Sequence, residues 1–291
     1  MIVYEEVVSL IQGICKINAD KDFSYITGLL HDYVSKLREN ELLNHLLQAG
    51  VISERFHHDS TEEKLYAKYC DLLLSKTLTL LGIKSNVVEG RGNAPDVIGE
   101  IPQRYKIVGD AKAFRLSRTA KNQKDFKVEA LNTWRKEAKA SYAFLVGPLY
   151  QFPSTKSQIY HQAIRYNVTL MSYTHLYLVI QFKSHNHLDL EPLWKIGQNL
   201  TPTQDANIYW EAINTTICKL VGAQLKDWEE AYKKTQEILP EQAKIEISFW
   251  ESEKQKIKNL SHEEAVNQLI KTLNIDRKIK VIKKTAGIIQ A

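Results

Sequence analysis

The chain has 291 residues, of which 44% are hydrophobic and 25% are charged, and its formal net charge is +5 at pH 7. This composition is typical of a globular protein and excludes a disordered or collagen-like chain. No run of about 18 apolar residues is present, so the sequence predicts no membrane span. The three cysteines lack paired spacing and indicate neither a disulfide framework nor a zinc site, so we expect a protein of the reducing cytoplasm.

The N-terminal part of the chain, residues 1–82, has the apolar spacing of helices. Apolar residues recur at helical intervals over residues 7–37. Ser60 and Glu63 have the spacing of a capping box, in which each side chain binds the backbone N–H of the other residue. This motif predicts a helix that begins there and ends near Gly82.

The central part, residues 83–190, alternates between short β-branched or aromatic runs and helical patterns. A nearly continuous apolar run over residues 176–182 is typical of a strand that is buried on both faces. We therefore predict an α/β core in which helices flank a mixed β-sheet. The predicted strands are residues 86–89, 96–101, 105–113, 142–146 and 176–182, and the predicted helices are residues 122–138 and 156–166.

The C-terminal part, residues 191–291, returns to helical patterns. Pro202 and Pro240 are expected to interrupt it, and Ser261 with Glu264 forms a second capping box. We interpret residues 1–291 as one domain with an α/β core and helical N- and C-terminal arms. The predicted C-terminal helices are residues 208–221, 225–239 and 242–257, with a further helix after Ser261.

The positive charge is concentrated in residues 104–136. This window has ten Lys and Arg residues against three acids, a net charge of +7, so the other 258 residues sum to −2. A basic stretch on a neutral background is typical of a surface that binds a polyanion such as nucleic acid. The alternative is an ordinary solvated helix face.

Asp96, Asp110 and Lys112 form the most informative motif of the chain. Side chains alternate along a strand, so Asp110 and Lys112 share one face, and a hairpin through residues 99–104 would bring Asp96 beside Asp110. Two carboxylates with a neighbouring ammonium predict a catalytic Mg²⁺ site, with Asp96 and Asp110 as ligands. Lys112 would orient the attacking water or stabilise negative charge. The alternative is a salt bridge at a strand edge.

The spacing Pro-Asp-x13-Asp-x-Lys is the signature of the PD-(D/E)xK nucleases, and longer segments point to one group among them. The chain resembles the HindIII-type type II restriction endonucleases closely between residues 91 and 158, and only loosely in its first 50 residues and beyond Pro192. One departure is Pro95, where that family has glycine. The segments that carry the resemblance are residues 60–65, 110–112, 114–128 and 154–159.

The resemblance implies a Mg²⁺-dependent homodimer in the bacterial cytoplasm that cuts both strands of the DNA palindrome AAGCTT and leaves 5′ overhangs. It also implies a cognate adenine methyltransferase that acts on the same site without a stable complex. PD-(D/E)xK nucleases often bring a helix-borne acid towards the metal, so Glu63 is a candidate third catalytic carboxylate. Its capping role explains Glu63 equally well.

The segment after the catalytic lysine is the expected DNA-binding region. Lys and Arg donate to guanine, Asn and Gln pair with adenine, Asp accepts from cytosine, and Thr or Ala contacts a thymine methyl group. Some of the arginines and lysines would hold phosphates and set the register. The candidates are Arg115, Arg118, Thr119, Ala120, Lys121, Asn122, Gln123, Lys124, Asp125 and Lys127.

Two rival functions remain open from the sequence. A structure-selective or repair nuclease with the same metal motif would cut at junctions or damage rather than at a fixed sequence. A catalytically inactive DNA-binding relative would bind DNA in a salt-sensitive way without nicking it, although Asp96, Asp110 and Lys112 are all present.

Overall fold

A computed structural model describes residues 2–89, 94–118, 123–183 and 188–285. The chain divides into two compact units, Met1–Ala243 and Lys244–Ala291. Thr119, Ala120, Lys121 and Asn122 of the expected DNA-binding region lie outside the described residues.

The first unit begins with four helices, which agrees with the predicted helical character of residues 1–82. The longest of them, α4, has buried side chains along most of its length, including the acid Asp71, and Ser60 Oγ accepts a hydrogen bond from the Glu63 N–H at its start. A helix with so many buried positions is the centre of the N-terminal half. The elements are α1 Val3–Ile17, α2 Phe23–Lys36, α3 Glu39–Gln48, the two-residue strand β1 Val51–Ile52, and α4 Thr61–Leu80.

A five-stranded mixed sheet follows, in the order β2-β3-β4-β6-β7, and it confirms the predicted α/β core. The first three strands are antiparallel, and β4, β6 and β7 are parallel to one another. The short strand β5 pairs with β1 instead. The strands are β2 Lys84–Val87, β3 Val97–Ile101, β4 Tyr105–Ala111, β5 Phe114–Arg115, β6 Tyr142–Gly147 and β7 Val168–Ser172.

Helices connect and cover these strands. The helix predicted over residues 122–138 is divided at Lys127, whose φ of 47° places its backbone in the left-handed region. That conformation is uncommon for a residue with a side chain and ends the α-helical hydrogen bonding there. The helices are α5 Gln123–Phe126, α6 Val128–Glu137, α7 Gln158–Tyr166 and α8 Tyr173–Phe182.

The predicted buried strand over residues 176–182 is wrong, because this run lies in α8 and the strand is Val168–Ser172. An apolar run that is buried on all sides does not distinguish strand from helix by its periodicity. Ser172 favours a helix over residues 173–182 because it caps the start of α8. Its hydroxyl accepts from the His175 N–H, and His175 Nδ1 accepts from the Ser172 N–H. These two hydrogen bonds form a capping box.

The predicted helix break at Pro240 is also wrong, since α12 runs without interruption through it. An internal proline costs roughly 3 kcal/mol of helix stability, and tertiary contacts before and after it offset this cost. Thr235 hydrogen-bonds Thr174 of α8, and Gln242 donates to the Gln48 carbonyl of α3. The helices of this part are α9 Glu191–Trp194, α10 Ile196–Asn199, α11 Ala206–Val221 and α12 Leu225–Lys258.

The second unit contains the end of α12 and two further helices, α13 His262–Thr272 and α14 Ile275–Thr285. The predicted capping box is present, since Ser261 Oγ accepts from the Glu264 N–H and the Glu264 carboxylate accepts from the Ser261 N–H. None of the helices in the described ranges has the length and apolar character that a bilayer crossing requires.

Gly109, in the middle strand β4, leaves no room for a side chain. A Cβ atom there would overlap the Phe144 ring on the neighbouring strand β6. We expect Gly109→Ala to lower the free energy of unfolding by about 1–3 kcal/mol, because overpacking forces the ring or the backbone to shift. Urea denaturation measures this change.

Gly13→Ala in α1 is the matched control. An added Cβ atom at Gly13 meets nothing within 4 Å, so helix propensity should raise the stability by up to about 1 kcal/mol. Equal effects of the two substitutions would contradict the close packing between Gly109 and Phe144.

Candidate active site

The β3–β4 hairpin brings the three predicted catalytic residues together. Val97 pairs with Gly109, and the Asp96 N–H donates to the Gly109 carbonyl at 3.0 Å, so Asp96 lies beside Asp110. The carboxyl groups of Asp96 and Asp110 hydrogen-bond each other. Lys112 Nζ forms an ion pair with Asp110 Oδ2. The geometry is therefore the one that the Asp-x13-Asp-x-Lys spacing predicted.

A third carboxylate belongs to this cluster, and sequence reasoning missed it. Asp71 of α4 is buried, and it interacts electrostatically with Asp96, Asp110 and Lys112. The signal that could have identified it is a lone acid inside the apolar run Tyr69–Leu74 of a helix with many buried positions. Buried aspartates are rare unless they are paired or functional.

Burial and mutual repulsion set the proton affinities of the three carboxyl groups. Burial, the hydrogen bond with Asp110 and the charge of Asp71 raise the pKa of Asp96 to about 9. Burial also favours a higher pKa for Asp110, but the Lys112 ammonium and the Asp96 hydrogen bond outweigh it and keep this pKa below its ordinary value. Burial raises the pKa of Asp71 to about 7 against the opposing effect of Lys68.

Lysine side chains balance part of this negative charge. Burial works against the Lys112 ammonium, but Asp110 and Asp96 raise the pKa of Lys112 above its ordinary value, so the lysine stays charged. Lys68 Nζ lies 3.2 Å from Asp71 Oδ2 and donates to the Val88 carbonyl at 3.2 Å. Lys68 thus links α4 to the chain that leads towards the hairpin.

The donor set fits a hard divalent cation. Asp110 Oδ2 is fully buried and contacts the Lys112 ammonium, and Asp71 and Asp96 add two further carboxyl groups to the same cluster. Carboxyl groups buried together are costly unless cations or protons compensate them. A metal ion coordinated by these oxygens would supply such compensation.

Glu63 is placed elsewhere. It precedes Asp71 by eight residues on α4, which corresponds to about 12 Å along the helix axis. Its Oε1 accepts from Arg115 Nη2 at 2.9 Å, and its Oε2 accepts from the Asp59 N–H at 2.6 Å. Ligand atoms of His58, Asp59 and Glu63 lie within 4.8 Å of one another, but this surface group is already engaged in these contacts.

The expected DNA-binding residues have several different environments. Arg115 lies largely buried among carbonyl and carboxylate oxygens. Arg118 Nη2 pairs with Asp125 Oδ1 at 2.5 Å and its guanidinium lies over the Phe114 ring. Lys124 is exposed, whereas the side chain of Gln123 lies outside what the structure describes.

Lys127 is exposed at the left-handed junction between α5 and α6, and its Nζ lies 5.9 Å from the centroid of the Trp134 ring. Its charge also helps to keep the pKa of Asp110 low, after the larger effects described above. Lys127 therefore connects the basic segment electrostatically with the carboxylate cluster.

Carboxylates and a lysine at the end of the middle strand of a mixed sheet, next to a basic segment, are typical of metal-dependent nucleases. Comparisons with known proteins identify the family to which this nuclease belongs. The family model of the HindIII restriction endonuclease matches residues 5–286. The chain is also 36% identical over 285 residues to the type II restriction enzyme HindIII of Haemophilus influenzae, covering 96% of this chain and 93% of that protein.

The chain therefore belongs to the HindIII restriction endonuclease family. It is a type II restriction endonuclease, a deoxyribonuclease that acts on double-stranded DNA. The family match extends through both helical arms, beyond the central segments in which the sequence resemblance is strongest.

Removal of the Lys112 ammonium tests the charge balance of the site. We expect Lys112→Met to lower the free energy of unfolding by about 3–5 kcal/mol, because it leaves buried carboxylates without their cation. The additional change Asp110→Asn should restore part of this loss. Urea denaturation without divalent ions measures both effects.

The control is Lys84→Met on the exposed side of β2, which should change the stability by less than about 0.5 kcal/mol. If Lys112→Met were as neutral as this control, the ammonium would not offset the buried negative charge.

Proposed function

We propose that the chain is a Mg²⁺-dependent endonuclease that cuts both strands of the palindrome AAGCTT and leaves 5′ overhangs. The observation that carries the chemistry is the convergence of the carboxyl groups of Asp71, Asp96 and Asp110 with the Lys112 ammonium. The proposed site rests on the identity to the HindIII enzyme and on the resemblance over residues 114–128.

Asp96 and Asp110 are the proposed Mg²⁺ ligands. Asp71 takes the place of the third carboxylate for which the sequence suggested Glu63, since Asp71 interacts with both aspartates. When bound, Mg²⁺ supplies charge neutralisation on the phosphate oxygens and acidifies a water molecule. Mg²⁺ suits this set because it prefers carboxylate and water oxygens.

Lys112 has the position of a group that acts on the reacting phosphate. Its ammonium is held by Asp110 and its backbone by two further contacts: the Lys112 N–H donates to the Val146 carbonyl at 2.7 Å, and Tyr173 Oη donates to the Lys112 carbonyl at 2.9 Å. A charged donor fixed in this way can orient the attacking water and stabilise negative charge on the phosphate in the transition state.

The segment after β5 is the proposed reader of the DNA sequence. Lys124, Asp125 and Lys127 are the base-contact candidates within the described residues, and Arg118 is a phosphate-contact candidate. In the free protein Arg118 and Asp125 pair with each other, so this ion pair must open before either side chain contacts DNA. The proposed reading roles of Thr119, Ala120, Lys121, Asn122 and Gln123 come from the sequence.

A homodimer is part of the proposal, because two copies related by a twofold axis place one site on each strand of a palindrome. The C-terminal helices α13 and α14 offer apolar side chains for such a contact, since Leu269, Leu273 and Ile279 are exposed. We further propose a bacterial cytoplasmic enzyme whose host DNA is protected by a separate adenine methyltransferase at the same site.

Digestion of a sequenced plasmid with Mg²⁺, followed by mapping of the ends, tests the specificity. We expect every end to lie within AAGCTT and to carry a 5′ overhang. If the ends lay at another fixed sequence, AAGCTT would be wrong as the recognition sequence, but the enzyme would still be site-specific. Cuts confined to junctions or damaged positions would favour a repair nuclease, and binding without nicking would indicate an inactive relative.

The metal ligands are tested by thermal unfolding with and without Mg²⁺, which does not depend on catalysis. Saturation at 100 times the dissociation constant stabilises a folded protein by about 2.7 kcal/mol, so the melting temperature of the unaltered chain should rise. Asp110→Asn and Asp71→Asn should reduce this rise, and Asp110→Asn should abolish cleavage while retaining specific DNA binding.

Glu100→Gln on the exposed side of β3 is the matched control and should keep both the Mg²⁺ shift and cleavage. If Asp110→Asn still cut DNA, or if its Mg²⁺ shift equalled that of Glu100→Gln, the assignment of Asp110 as a ligand would be refuted.

A further inference from the structure

Arg115 is surrounded by acceptors of its own chain. Its Nη1 donates to the Ser53 carbonyl at 2.7 Å, and its Nη2 donates to the Phe56 carbonyl at 2.8 Å and to Glu63 Oε1 at 2.9 Å. The side chain is 17% exposed. These contacts join the loop after β1, the first turn of α4 and the strand β5 through one guanidinium group.

Glu54 adds a second carboxylate to this arrangement. Its Oε2 lies 4.0 Å from Arg115 Nη1, and its Oε1 accepts from the Ser117 N–H at 3.2 Å. The Glu54 side chain is only 3% exposed. Glu54 therefore holds both the arginine and the backbone two residues beyond it, at the start of the segment that is expected to read DNA.

The same strand leads directly from the active site. The Phe114 N–H donates to the Gly50 carbonyl at 2.9 Å, and β5 pairs in parallel with β1 through Phe114 with Val51 and Arg115 with Ile52. Arg115 follows Lys112 by three residues, so contacts that fix β5 also fix the distance between the catalytic lysine and the DNA-binding segment.

The surroundings of Arg115 suit an arginine side chain that is bound within the protein, and they do not suit one that contacts a DNA phosphate. Arginine presents five N–H donors in a planar fork, which here match two carbonyls and two carboxylates, and lysine cannot reproduce that geometry. The donors of the guanidinium are already engaged by these acceptors, so a phosphate would have to displace them. The interior contacts therefore replace the DNA contact that the basic sequence suggested for Arg115.

We propose that Glu54, Glu63 and Arg115 form a clamp of positioning residues that holds the start of the DNA-binding segment in register with Lys112 and thereby sets the enzyme's discrimination between DNA sequences. This inference rests on the proposed site-specific cleavage. In this proposal Arg115 and Glu63 form one structural ion pair. Arg115 is then not a phosphate contact, and Glu63 is not a metal ligand.

The test compares Arg115→Lys and Glu63→Gln, with Glu62→Gln in the same helical turn as the matched control. The substrates are DNA duplexes with the site at which the unaltered chain cuts, and duplexes with one base pair of that site changed. The measurements are kcat and KM for both substrates, the salt dependence of binding, and the Mg²⁺ concentration that gives half-maximal rate.

We expect Arg115→Lys and Glu63→Gln each to lower the ratio of kcat/KM between the two substrates by about tenfold to a hundredfold, the size of effect that a misplacement of about 1 Å produces. The half-maximal Mg²⁺ concentration and the salt slope should not change, and Glu62→Gln should behave like the unaltered chain. The double variant should lose little more discrimination than either single variant, because both remove the same contact.

Two outcomes would overturn the clamp. If Glu63→Gln raised the Mg²⁺ requirement while discrimination was preserved, Glu63 would act as a ligand. If Arg115 variants lowered affinity for all sequences and flattened the salt slope while Glu63→Gln did not, Arg115 would be a phosphate contact.

Hydrogen exchange separates failure of the clamp from failure of the proposed function. Faster exchange of the Ser117 amide in Glu54→Gln and Glu63→Gln, but not in Glu62→Gln, is expected even if the unaltered chain cuts no fixed sequence. Unchanged exchange at Ser117 would remove the structural basis of the clamp whatever the cleavage results are.

Discussion

The structure depends on burying several carboxyl groups together at the end of the middle strand of the sheet. Asp71, Asp96 and Asp110 approach one another from a helix and a hairpin, and water is largely excluded from Asp71 and Asp110. Such a cluster is strongly unfavourable unless cations and protons compensate it. Lys112 and Lys68 supply positive charge, and the hydrogen bond between Asp96 and Asp110 allows one carboxyl to keep its proton. A divalent cation bound by these carboxylates would take the place of the retained proton, which is the physical reason that the site suits a metal.

The basic window of residues 104–136 carries a net charge of +7, but much of this charge is used inside the protein. Arg104 pairs with Asp189 and Glu191, Lys112 pairs with Asp110, and Arg118 pairs with Asp125. Arg115 is held by Glu54 and Glu63. A charge count therefore predicts a polyanion-binding region but overstates the number of cations that are free to contact DNA. In the proposed function the whole segment attracts DNA electrostatically and a subset of its side chains makes the contacts.

Internal pairing of these residues also has a geometric consequence. Catalysis at a defined base pair requires that the group acting on the phosphate and the groups reading the bases keep a fixed separation. Here Lys112 directly follows the middle strand, and the clamp residues hold the next strand against the loop after β1 and the start of α4. The proposed roles in sequence discrimination and cleavage therefore fall on one short stretch of chain.

The sequence by itself determined the helical N-terminal part, the mixed α/β core and the hairpin that joins Asp96 to Asp110. These features depend on local periodicity, on capping residues and on a short turn, which lie within a few residues of one another. Only the tertiary structure decided that residues 173–182 form a helix and that α12 continues through Pro240. It also decided that Asp71 lies with the carboxyl groups of Asp96 and Asp110, and that Arg115 faces inward. The physical reason is that burial, charge pairing and desolvation arise between segments distant in the chain, such as Arg115 and Glu63, which are 52 residues apart.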